Sequence, residues 1–244
     1  MHPLLRWLAL VACAFLALQL FFVLRIAMMA VVDPQSTAFE RSEAWRILND
    51  KGSVPWRQQW VPYAQISDHL KRAVIASEDD GYIEHDGVDW DALEKAWQKN
   101  TRAEELAERR AAASRQGRAP APKIVGGSTI TQQLAKNLFL SGERTLLRKG
   151  QELVLTLLLE ALLDKQRILE IYLNHVEWGE GVFGAQAAAE RYFRKSAAKL
   201  GPAEAARLAV MLPRPKYFEK LPNSAYVAGR AGTILARMGD ARLP

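Results

Sequence analysis

The chain has 244 residues, 49% hydrophobic and 25% charged, enough apolar content for one folded domain of about 200 residues plus appendages, which excludes a chain disordered throughout. A lone Cys13 excludes an intrachain disulfide and a cysteine zinc cluster, and His2, His69, His85 and His175 stand at none of the pair spacings of a histidine metal site. The formal net charge of +6 favours an anionic partner without choosing among nucleic acid, phospholipid and a phosphorylated substrate.

From Trp7 to Leu24 every residue is apolar except Gln19, and after Arg25 the apolar character resumes through Val32. At about 1.5 Å per residue this reaches across a bilayer core of ~30 Å. A cleavable signal would have a shorter apolar region ending in small residues, and no clean A-x-A site follows. Leu10-Val11-Ala12-Cys13 matches a lipoprotein box only loosely, with few apolar residues before it. A core helix fits less well because nearly every face is apolar. The reading is an uncleaved anchor at 7–32 behind a short tail at 1–6. Arg6 and Arg25 flank it on opposite sides, so loop charge orients it weakly, and the short tail makes N-inside the simpler choice. Residues 33–59 then read as a membrane-proximal linker outside the cytoplasm.

The remainder reads as helical. Asp68 to Ser77 carries Leu70, Ala73, Val74 and Ala76 at helical spacing, and Trp90 to Trp97 places Leu93 and Trp97 on one side. Leu146 to Asn174 forms one long apolar stripe, and Ala203 to Leu212 and Tyr226 to Met238 look alike. Thr101 to Lys123 begins with Ala, Arg and Glu and ends in "SRQGRAPAP", a helix fraying into a mobile basic loop. Alternating strand patterns are scarce and no repeat occurs, so the fold class is mainly α.

Two motifs mislead. Gly179-Glu180-Gly181-Val182-Phe183-Gly184 spells a dinucleotide fingerprint, but that fingerprint needs a strand before it and Ile168 to Asn174 reads as helix. Ser196-Ala197-Ala198-Lys199 spells the S-x-x-K of acyl-enzymes without the S-D-N and K-T-G that must accompany it. A nucleic-acid reading finds no recognisable module and sits badly with an extracytoplasmic domain.

Three segments carry chemistry. In "GGSTITQQLAKN" (126–137) the glycines allow a turn and a close ligand approach. Thr129 to Gln132 fits a capping box, and Gln132 with Lys136, and Gln133 with Asn137, align along adjoining helix faces. A helix start with a lysine suits an anion, though a capped surface helix would look the same. In "ASEDDGYIEHDGVD" (76–89) an apolar helix runs into Glu78, Asp79 and Asp80, where desolvation or a neighbour can tune a carboxylate for proton transfer. In "RTLLRKGQE" (144–152) Arg144, Arg148 and Lys149 surround Glu152. Each segment alone could be solvated charge; together they supply carboxylates for acid/base work and cations for a phosphate.

The ordered set resembles glycosyltransferase family 51, the lipid II polymerases of bacterial cell walls. It carries E-D-x-x-x-x-x-H-x-G-x-D at 78–89, the whole of 126–137, R-K-x-x-E at 148–152 and K-x-x-I-L-E-x-Y-L-N at 165–174, then Gly184-Ala185, Tyr192-Phe193 and "LPRPKYF" at 212–218. The resemblance spans about residues 60 to 240, and with no transpeptidase domain following it points to the monofunctional enzymes. It implies a lysozyme-like, two-lobed glycosyltransferase domain, with a large lobe and a membrane-associated jaw, at 60–240, the basic insertion at 100–123 falling in the jaw. Glu78 would be the general base acting on the 4-hydroxyl of lipid II, inverting C1 of the lipid-linked strand and releasing undecaprenyl pyrophosphate. Lys136, Arg144 and Arg148, with Lys149, would neutralise that pyrophosphate; Glu152 would help hold the donor; Asp79, Ser128, Thr129, Gln133 and Asn137 would bind substrate. No organic cofactor is implied, and a divalent cation, Mg or Mn, would meet Glu152. Expected partners are lipid II, the growing lipid-linked strand, membrane lipids and other cell-wall synthesis or division proteins, with no nucleic acid, at the periplasmic side of the inner membrane.

Two features depart from the family pattern: the length of 101–123, and Arg194 where glycine is usual. Two other readings stay open. A muramidase or lytic transglycosylase would need one acidic glutamate but not the clustered cations. An idle membrane scaffold would make Glu78 and Glu152 dispensable.

Overall fold

Pro3, which has no N–H to leave unpaired, opens helix α1 (Pro3–Met28), a run of 26 residues whose upper part presents apolar side chains outward on every side. A computed structural model describes residues 2–113, 126–140, 142–143 and 145–244. The segment expected as linker contains α2 (Ala38–Lys51), and its start is a reciprocal cap: Thr37 Oγ accepts from Glu40 N at 3.0 Å while Thr37 N donates to the Glu40 carboxylate at 2.7 Å. Gly52, at φ 69°, ends it. Strand β1 (Arg57–Gln58) and a single 3₁₀ turn lead to α3 (Asp68–Glu78), capped by Ser67.

Helix α4 (Trp90–Ala113) covers the expected Trp90–Trp97 segment and continues through the first part of the basic insertion. Its Ala96 is buried, whereas Trp90, Leu93, Trp97 and Leu106 are exposed, so it leaves the body as a thin amphipathic lobe. The expected mobile loop at 114–123 lies outside the described residues. Helix α5 (Ile130–Phe139) follows. The apolar stripe from Leu146 to Asn174 is carried by two helices, α6 (Leu146–Leu162) and α7 (Lys165–His175). The break is a capping event, because Asp164 accepts from Arg167 N at 2.7 Å and starts the chain afresh.

Strands β2 (Glu177–Gly179) and β3 (Val182–Phe183) form a sheet of order β1-β3-β2, with β1 parallel and β2 antiparallel to β3. This sheet explains the glycine-rich decoy. Gly181 (φ 71°) and Gly184 (φ 83°) hold left-handed backbone against the carbonyls of Pro55 and Asn174, where a Cβ would collide. A strand does precede the motif, but it is three residues of an antiparallel hairpin, without the parallel crossover that a dinucleotide needs.

Helices α8 (Ala185–Phe193), α9 (Pro202–Met211), α10 (Pro215–Phe218) and α11 (Ala225–Arg237) complete the fold. Arg194 closes α8 at φ 56°, the left-handed conformation that explains why glycine is usual there. Helix α9 packs against α3 and α11, and α5 packs against α2, α6 and α7. Leu70, Val74, Ile130, Leu134, Ile168, Tyr172, Trp178 and Leu208 fill the shared core.

The lower end of α1 belongs to that core. Phe22, Ile26 and Met29 are buried in it, and Phe22 meets Phe139 edge-on at 5.4 Å between ring centres. Gln19, the lone polar residue of the apolar run, pairs with Gln151 of α6 at 3.4 Å. Arg167 then fixes the exit from α1, donating to the Met29 carbonyl and to Asp33, each at 2.7 Å, and to Glu170 at 2.6 Å.

Candidate active site

The C-terminal residue of α3 is Glu78, and the chain must turn immediately after it. Asp79 makes that turn rigid: one carboxylate oxygen meets His85 Nε2 at 2.8 Å and the other accepts from Ile130 N at 2.9 Å, at the first turn of α5. An anionic side chain there satisfies an otherwise unpaired helix N–H and complements the helix dipole. Thr129 adds the expected capping box, accepting from Gln132 N at 3.1 Å while Gln132 Oε1 accepts from Thr129 N at 3.2 Å, and its hydroxyl donates to the Gly87 carbonyl at 2.6 Å. Asp79 and Thr129, expected among the substrate contacts, are therefore buried and committed to joining α3, the 79–89 loop and α5.

This joint places Gln133 over Glu78. Tyr172, fully buried on α7, donates its hydroxyl to Gln133 Oε1 at 3.1 Å, which turns the amide so that Nε2 donates to Glu78 Oε2 at 3.1 Å. The Glu78 carboxyl titrates above the ordinary glutamate value: burial dominates, Asp79 adds to it, and the hydrogen bonds from Gln133 and Ser77 oppose it.

Beside this pair opens a cleft of about 570 Å³. Its floor is α5, which contributes Gln132, Gln133, Lys136 and Asn137, with Ser128 just ahead of the helix. One wall is α6, with Arg148, Lys149 and Glu152. Glu152 is buried, and both its oxygens are taken: Arg148 Nη1 donates to one at 2.9 Å, and Lys149 Nζ to the other. Arg148 Nε is buried without a partner among the described residues. Lys136 titrates below its ordinary value because the cleft walls strip its water, Arg148 and Lys149 repel its charge, and Glu152 only partly compensates. An anion entering the cleft would give Lys136 the charge partner that its surroundings only partly supply. Arg144 lies outside the described residues.

For a metal, the fit is poor. The one carboxylate expected to meet a divalent cation, Glu152, is already paired on both oxygens with cations. Among the described residues no group of three or more His, Cys, Asp or Glu is placed to hold an ion.

The other wall was not foreseen. Phe39, Ser42 and Glu43 of α2, with Val176 and Glu177 at β2 and Leu212 and Pro215 near α10, line the cleft opposite α6. The signal for α2 was present: Thr37-Ala38-Phe39-Glu40 is itself a T-x-x-E capping box.

A recessed carboxylate, bonded to a helix that carries a lysine toward two further cations, defines an enzyme site for transfer chemistry on an anionic substrate. The transglycosylase family matches residues 47–239, beginning inside α2. The chain belongs to that family. It is 53% identical over 243 residues to a biosynthetic peptidoglycan transglycosylase of Burkholderia thailandensis, covering 98% of this chain and 88% of that protein. It is likewise 50% identical to one from Paraburkholderia xenovorans, covering 98% of this chain and 94% of the relative.

Proposed function

We propose that the protein is a peptidoglycan glycosyltransferase that polymerises lipid II. The single observation carrying this reading is that Lys136, Arg148 and Lys149 line the cleft whose Gln133 is hydrogen-bonded to Glu78.

Glu78 is the general base. The 4-hydroxyl of the acceptor sugar donates its proton to the carboxylate as its oxygen forms a bond to C1 of the lipid-linked strand. The bond from C1 to the pyrophosphate oxygen breaks on the opposite face, so the configuration inverts. A carboxyl raised toward the working pH is a stronger base than an ordinary glutamate, and Gln133 holds it in place. The leaving pyrophosphate needs no proton, because it departs with its charge and meets Lys136, Arg148 and Lys149. Glu152 keeps Arg148 and Lys149 extended along the wall. Ser128 and Asn137 supply polar contacts to the substrate, whereas Asp79 and Thr129 act by positioning α5. A neutral glycan would give those cations nothing to bind, which disfavours the hydrolytic reading.

Helix α1 is long and apolar enough to cross a membrane. In the proposal it anchors the domain once in the bacterial inner membrane with the cleft on the periplasmic side, where lipid-linked substrates are concentrated. Exposed Trp90, Leu93 and Trp97 of α4 then face lipid headgroups.

The test is polymer formation from labelled lipid II by the detergent-solubilised full chain, with Glu78→Gln as the control and muramidase digestion of the product. Polymer made by the native chain, absent with the variant and digested by muramidase supports the reading. Shortening of preformed strands without polymer would replace it with a hydrolase.

A further inference from the structure

The mechanism uses one wall of the cleft; the opposite wall holds a buried carboxylate that it leaves idle. Glu177 on β2 lines the cleft with its side chain 8% exposed. Its Oε1 is buried without a hydrogen bond, and the carboxylate accepts none from the described residues. Its ion-pair partner, Lys216 of α10, stands 3.5 Å from Oε1 and gives its hydrogen bond to Glu43, which also takes Arg46 at 2.9 and 3.0 Å. Burial pushes the Glu177 carboxyl up to about 7; Lys216 pulls it down, and Glu43 and Glu219 push it further up.

A buried carboxylate with one long ion pair and no hydrogen-bond donor is poorly solvated, and this fold has the means to supply donors. Glu40, more deeply buried nearby, accepts from Thr37 N at 2.7 Å and Gln58 Nε2 at 2.8 Å and meets His175 Nδ1 at 2.7 Å. A carboxylate left open in the wall of a cleft is waiting for a donor from outside the protein.

We propose that Glu177 is a specificity-determining residue that accepts a hydrogen bond from a hydroxyl or acetamido N–H of the sugar strand. This rests on the polymerase reading above. The donor is neutral, because a second ammonium would be repelled by Lys216, already 3.5 Å away. Lys136, Arg148 and Lys149 line the cleft on the side of α5 and α6, whereas Glu43 and Glu177 are its charged lining on the other, so the cleft orients its substrate: pyrophosphate toward α6, sugar toward α2 and β2.

The experiment uses the full chain in detergent. Glu177→Ala should raise KM for lipid II about ten-fold while kcat stays within ~3-fold. Glu177→Gln, which keeps an acceptor oxygen, should restore KM to within ~3-fold of native. A fluorescent lipid-free glycan strand should bind Glu177→Ala more weakly by a similar factor, with inorganic pyrophosphate binding unchanged. Unchanged KM and strand binding in Glu177→Ala would overturn the proposal. Equal losses in Ala and Gln variants with a lowered Tm, or parallel loss of pyrophosphate binding, would overturn it too, by making Glu177 structural. A native chain that forms no polymer sinks the polymerase reading instead, and the strand-binding comparison separates that failure from this one.

Discussion

Where α2, β1 and α7 meet, Glu40, Asn174 and His175 have all their side-chain polar atoms paired, though the Tyr63 hydroxyl beside them is not; a few residues away, two buried polar atoms in the walls of the cleft stand open. At the junction Asn174 receives Val61 N at 2.9 Å and donates to the carbonyls of Val61 and Glu170, while His175 lies between Glu40 and the Pro34 carbonyl. In the cleft Arg148 Nε and Glu177 Oε1 have no hydrogen-bond partner among the described residues, and Glu78 and Lys136 are both held away from their ordinary titration ranges. The same chain closes one set of polar groups and leaves the other exposed to a substrate, so stability and activity should separate by region.

The separation can be broken most forcefully at Glu78. Replacing it with Gln should lower kcat by about 10²–10⁴-fold, and Tm should hold or rise, since the fold no longer bears a carboxylate it prefers neutral. A rate loss accompanied by unfolding would end the contrast. Next, Lys136→Ala should reduce kcat/KM by roughly 10–10²-fold with Tm not lowered, as measured by lipid II turnover and thermal melting.

At the junction the signs reverse. Asn174→Ala strips partners from Val61 and should cost about 2–4 kcal/mol of stability, read by denaturant melting, while KM of the folded enzyme barely moves. Titration sharpens the comparison. Because Glu78 holds its proton above the ordinary value, kcat/KM should rise with pH across a limb centred above that value and flatten beyond it. Its stability contribution runs the other way, present below the unfolded pKa and lost as pH rises through the folded one. A limb at the ordinary glutamate value would argue against Glu78 as the base. The smallest effect is expected at neither region: Arg194→Gly relieves a left-handed backbone and should stabilise by about 0.5–1 kcal/mol.

Much of this was legible from sequence because it depends on local spacing. The capping box at Thr129 and Gln132, the ends of α3, α9 and α11, and the long apolar helix α1 all follow from short-range pattern. The break falls in the four polar residues Asp164-Lys165-Gln166-Arg167 between two apolar runs, and the cap at Asp164 shows that the chain restarts there. Asp79 and Thr129 looked like ligand contacts because a polar residue beside a catalytic motif and a polar residue holding that motif in place have the same sequence signature. The capping box at Thr37 and Glu40 marks the start of α2 locally, but residues 38–51 carry only a weak apolar stripe, and the pairing of Glu40 with His175 that seats the helix beside the cleft lies in no local window.

The docking of Phe22, Ile26 and Met29, with Arg167 clamped on the Met29 carbonyl, makes the anchor a strut instead of a tether. In the proposed membrane setting the cleft then stands at a height set by helix length, as on a ruled scale. Each residue inserted above Gln19 should lift it by about 1.5 Å without disturbing the joint, whereas one inserted between Ile26 and Asp33 would unseat the joint and leave the height undefined.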